Sequence, residues 1–115
     1  AALWRAEFEW WAHYPIAIKA GISPSVAESI RRAERPEFSR PEEAVVYEFV
    51  QTLVQDRRVP DALYEHALHV LGQDRVVDLV GLAGYYTLIS MTLNVFDIQP
   101  PDGEPAQFDL LDKEL

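Results

Sequence analysis

The sequence predicts an all-α fold. Three observations carry that expectation. Apolar residues recur at helical rather than alternating spacing, prolines and glycines fall where helices start and stop, and residues 79–96 run without a charge. About five helices are expected, and no run alternates cleanly enough to make a strand.

The first helix should cover residues 3–20, where Leu3, Ala6, Trp10, Tyr14 and Ala17 recur at helical spacing. Pro15 removes one backbone donor and is expected to kink or restart it, and Gly21 to end it in the C′ position. Ser23 followed by Pro24 reads as an N-cap with proline at the first helical position, opening a second helix to about Arg32. Its basic end suits the helix dipole, and Pro36 lies beyond it. Ser39 and Glu42 resemble a capping box for a third helix, sustained by Ala44, Val45, Tyr47, Phe49, Val50, Leu53 and Val54 to about Asp56. Val59 and Pro60 start a fourth, which Gly72 stops after Leu71. Gln73 and Asp74 introduce the fifth and longest, about residues 75–96. The proline-rich text after Phe96 cannot continue a helix. Residues 1–98 are therefore read as one helical domain and residues 99–115 as a Pro-rich acidic arm or tail.

Composition narrows the function classes. A chain of 115 residues, 49% hydrophobic and 25% charged, fits one globular domain. The net charge is −9, and Arg31-Arg32 and Arg57-Arg58 are the densest basic points, so no stripe exists to neutralise phosphates and nucleic acid is not an expected partner. The absence of cysteine removes disulfides, thiolate nucleophiles and thiolate metal sites, and points to a reducing, cytoplasmic setting. No leader pattern opens the chain, which starts inside the expected first helix, as at a processing boundary.

The fifth helix is apolar on all faces. Its uncharged run approaches the length of a bilayer span. Thr87, Ser90, Thr92 and Asn94 within it, and acidic residues at both flanks, favour burial in protein instead. The four shorter helices cannot wrap it alone, so further chains are expected to complete the packing, with Gly81 and Gly84 permitting close approach.

Candidate chemistry concentrates in the first helix. Glu9 and His13 are four apart and share a face, with Arg5 a further turn back. A carboxylate beside an imidazole, walled by Trp10 and Tyr14, can orient a tautomer and hold a proton near neutral pH. The same spacing also fits a surface ion-pair ladder of Arg5, Glu9 and His13. His66 and His69 beside Glu65 offer two imidazoles without a convincing third metal ligand, so no metal is assigned. Tyr85 and Tyr86 could line a pocket or simply pack in a core. No phosphate loop, Gly-x-Ser-x-Gly elbow or His-Glu-x-x-His is present, so no cofactor is expected.

Glu9-Trp-Trp-Ala-His13, Ala17-Ile-Lys-Ala-Gly-Ile-Ser23 and Gly81-Leu-Ala-Gly-Tyr-Tyr-Thr-Leu-Ile-Ser-Met-Thr-Leu-Asn94 together resemble the carboxymuconolactone decarboxylase-like family, whose AhpD-like fold is an all-helical bundle. The likeness covers most of residues 4–103. Aligning the Cys-x-x-Cys-x-x-x-His of the family's peroxidase branch on His13 puts Glu9 and Ala6 where the cysteines would stand. The resemblance thus argues against peroxidase activity and towards the cysteine-free branch that acts on a lactone from aromatic catabolism. It also implies trimers or hexamers with sites near subunit contacts. A usual member has an earlier helical region with another acidic site residue, which is either removed here or supplied by a separate chain.

The expected function is therefore a lyase or isomerase acting on a small carboxylated or lactone substrate, without thiols or cofactor. His13 would transfer a proton at carbon, Glu9 would orient it, and Arg5, Trp10, Tyr14 and Tyr86 would hold substrate and exclude water. The alternative is a noncatalytic ligand-binding or assembly subunit on the same scaffold. A cysteine-independent hydrolase or dehydratase would keep the pocket and change the substrate.

Overall fold

The computed structural model describes residues 1–108. Among them it contains five α-helices and no strand: α1 (Glu7–Lys19), α2 (Pro24–Arg31), α3 (Pro41–Asp56), α4 (Asp61–Leu71) and α5 (Gln73–Val95). The part of the expected acidic tail from residue 109 onward lies outside the described residues.

Local chemistry sets the helix ends. α1 starts at Glu7, not at Leu3, because Arg5 adopts a left-handed φ of 50° and breaks the helical path. Before it, Arg5 N–H and Ala6 N–H close a single turn onto the carbonyls of Ala2 (3.1 Å) and Ala1 (3.0 Å). Pro15 does not restart the element, which runs without interruption from Glu7 through Lys19. A proline φ is itself helical, and only one donor is lost. Gly21, at φ 105°, then closes α1 with Gly21 N–H on Ile18 O and Ile22 N–H on Ala17 O, a Schellman pair.

Ser23 is the N-cap of α2 with Pro24 behind it, as the spacing predicts, although its hydroxyl bonds Ser25 Oγ at 2.8 Å rather than the helix backbone. For α3 the cap falls one residue later than expected. Pro41 forces its predecessor out of the helical region, so Arg40 (φ −119°, ψ 130°) is the N-cap and the Ser39–Glu42 capping box does not form. Arg40 pairs instead with Glu43 at 3.1 Å. Pro60 caps α4 and Gly72, at φ 85°, ends it.

The chain divides into two units, one of residues 38–86 and one of residues 1–37 with the chain from Thr87 onward. The first holds α3, α4 and the start of α5. Val45, Phe49, Ala67 and Val76 are its buried centre, flanked by Leu53, Leu63, Leu68 and Leu79. The second unit holds α1, α2, the end of α5 and the arm. Ala6, Val26 and Ala27 are buried there, together with Glu7, Glu9 and Ser90.

α5 behaves differently from the other helices. It is long and apolar enough to cross a membrane, with a mean hydropathy of 1.5 over its most apolar stretch, of which 11% is buried. Val76 and Ser90 are its buried residues, while Val77, Leu82, Leu88 and Val95 are each more than half exposed. A Cβ placed on Gly81 or Gly84 would meet nothing within 4 Å. Among the described residues, this helix is not buried on all sides.

Candidate functional site

The expected site residues on α1 are brought together, but with different partners from those the spacing suggests. Glu7 and Glu9 stand in the first helical turn, where the partial positive charge of the helix end favours carboxylates. Glu9 is 3% exposed. Its carboxylate accepts a hydrogen bond from the hydroxyl of Ser90, which is fully buried on α5. A buried carboxylate is costly unless it is hydrogen-bonded, and Ser90 supplies that bond.

His13 does not meet the Glu9 carboxylate through its ring nitrogen Nδ1, which lies 2.9 Å from the main-chain oxygen of Glu9. A carbonyl can only accept, so Nδ1 carries a proton and donates it there. Glu9 thus meets the imidazole through its main-chain oxygen and not through the carboxylate that the spacing suggests. The His13 side chain is exposed.

Trp10 and Tyr14 lie one turn apart with ring centroids 6.0 Å from each other. Trp10 also receives Phe108 edge-on, at 5.6 Å and 81°. Arg5 is exposed and lies ahead of the helix, so the ladder of Arg5, Glu9 and His13 along one helical face does not form. Tyr86 belongs to the other unit, where its ring meets that of Tyr85 at 5.2 Å and 81°. His66 and His69 are exposed on α4. Among the described residues no group of three or more His, Asp or Glu side chains could hold a metal ion.

Several participants escape a reading by spacing. Ser90 is one, because its partner is distant in sequence. Its only signal is a hydroxyl inside an apolar run. Asn94 is a second, donating from Nδ2 to Trp4 O at 2.6 Å. The indole N–H of Trp4 is buried with no acceptor among the described residues. Glu7 is a third. It is 5% exposed, and its carboxylate accepts from the backbone N–H groups of Gln107 and Phe108. An open cleft of about 200 Å³ is lined by Glu7 and by residues 99–106 of the arm.

Comparison of the chain with family models, with curated proteins and with solved structures finds no match.

Proposed function

We propose that the chain is a thiol-free acid–base lyase or isomerase of the carboxymuconolactone decarboxylase-like kind, working as an oligomer. The observation that carries this reading is the joint arrangement on α1 of a buried carboxylate held by Ser90 and, one turn on, an imidazole whose tautomer is set by a main-chain carbonyl. A buried acid and an accessible base at i and i+4 supply a fixed charge and a mobile proton in one place.

In the proposed reaction the substrate carboxylate leaves as carbon dioxide. The electron pair of the broken C–C bond passes into the conjugated lactone carbonyl as a dienolate. His13, whose Nδ1 proton is held by the Glu9 carbonyl, takes a second proton from water at Nε2, delivers it from there to carbon and returns to the neutral ring. Trp10 and Tyr14 wall the substrate from water, and Arg5 meets its negative charge. Tyr86 would join the wall from a neighbouring subunit, and no cofactor is needed.

Oligomerisation, as a homotrimer or homohexamer, is part of the same reading. It is supported by the exposed apolar side chains of α5 and by the two glycines with open space above them. A separate chain carrying the usual earlier helices would be a further partner. The decisive assay is conversion of carboxymuconolactone and related lactones by the purified chain, followed by carbon dioxide release.

The second reading, a noncatalytic assembly subunit, is favoured by the exposure of the His13 side chain. Absence of turnover in a correctly assembled oligomer would select it.

A further inference from the structure

The Glu7 carboxylate makes contacts that the proposed chemistry does not use. Its Oε1 and Oε2 accept from Gln107 N–H at 2.9 and 3.0 Å, and Oε1 accepts from Phe108 N–H at 2.7 Å. Arg31 donates from Nη1 to the carbonyl of Gln107 at 2.8 Å. The Phe108 ring stands edge-on to Trp10. One residue of α1 thus reads two successive N–H groups, one residue of α2 reads the carbonyl between them, and an indole takes the following ring.

We propose that Glu7, Arg31 and Trp10 form a peptide-binding site, occupied in cis by the chain's own arm. Its ligand is a segment that turns two consecutive N–H groups to one side and offers the carbonyl of the first residue and an aromatic side chain on the second. The hydrogen bonds read backbone, and the Gln107 side chain turns away to bond Pro105 O at 3.2 Å, so the aromatic ring carries the side-chain selectivity.

Three observations support this assignment. Glu7 is buried, and a buried carboxylate without donors is strongly disfavoured, so the site demands N–H groups of this kind. Arg31 is braced by a two-point contact with Glu28, Nε to Oε2 at 2.9 Å and Nη2 to Oε1 at 2.6 Å, which fixes the guanidinium while Nη1 reaches the arm. Residues 101–106 leading to the clasp are exposed, and they turn at Gly103 (φ 91°), where Glu104 N–H meets Pro101 O at 3.2 Å. The docked pair Gln107 and Phe108 is half-buried, so the arm is held at these two residues.

The test uses the full chain and a labelled, C-terminally amidated peptide of residues 102–108. A tethered ligand competes at an effective concentration on the order of millimolar. The wild-type chain should therefore bind the peptide weakly, and Phe108→Ala, which weakens the resident arm, should bind it at least tenfold tighter. Adding Glu7→Ala to Phe108→Ala should abolish that binding. Equal affinity for wild type and Phe108→Ala, no binding to either, or undiminished binding after Glu7→Ala would each overturn the assignment. Hydrogen exchange on the wild-type chain provides a readout without substitutions. Protected Gln107 and Phe108 amides are expected, and exchange at the rate of a free peptide overturns the docking itself. Neither readout depends on lactone turnover.

Discussion

The hydroxyl of Ser90 on α5 donates to the carboxylate of Glu9 on α1, and both groups are buried. This contact ties the end of the apolar helix to the helix that carries the candidate chemistry. It gives a buried charge a donor where hydrocarbon would otherwise surround it.

Ser90→Ala should destabilise the chain by about 1–3 kcal/mol, the cost of leaving a buried acceptor short of a bond. Replacing both partners, Ser90→Ala with Glu9→Leu, should cost less than the single change, because no polar group is then stranded. Urea unfolding of the three proteins checks the order. A Ser90→Ala chain as stable as wild type would contradict it.

Ala33 closes α2 at φ 58°, with Ala33 N–H on Ile30 O and Glu34 N–H on Ser29 O. An L-residue with a Cβ is disfavoured by about 1–2 kcal/mol in this conformation. Ala33→Gly should raise stability by roughly 1 kcal/mol after the greater chain entropy of glycine is deducted. Thermal unfolding should show a higher midpoint.

Leu88, Met91 and Val95 are exposed at helical spacing on α5. If subunits meet there, Leu88→Glu should reduce the native mass to that of one chain while helix content is kept. A wild-type chain that is already monomeric at high concentration would contradict an oligomer.

Arg31 hydrogen-bonds Glu28 and holds that carboxyl below its ordinary value of 4.5, while Glu28 holds Arg31 above its own. A carboxyl lowered by folding contributes fully above its ordinary value, and the contribution fades as pH falls through the lowered one. The brace on Arg31, and with it the hold on the arm, should therefore weaken below about pH 4.5. Proteolytic cleavage within residues 97–106 should accelerate in that range for wild type. A Glu28→Gln chain should already be cleaved faster at neutral pH.

Much of the fold is legible in the sequence because proline and glycine act locally. Gly21 and Gly72 close α1 and α4 at positive φ, and Pro24 opens α2, each as their chemistry requires. Ser39 is outcompeted as a cap because Pro41 constrains Arg40 more strongly than a hydroxyl attracts the helix end. Arg5, Ala33 and Asp97 take left-handed φ without glycine, so the ends they create carry little signal. For the site, the turn from Glu9 to His13 is readable from spacing. The Ser90 contact and the Glu7 clasp are not, because each joins residues far apart in sequence, which the spacing of residues along one helix does not show.

Whether His13 moves the proton in a thiol-free lyase is tested most directly by comparing kcat on carboxymuconolactone for wild type and His13→Ala. Wild type should turn over measurably, and the variant should lose about 10²–10⁴-fold, the usual range for a general acid. Equal kcat in the two proteins would contradict that role.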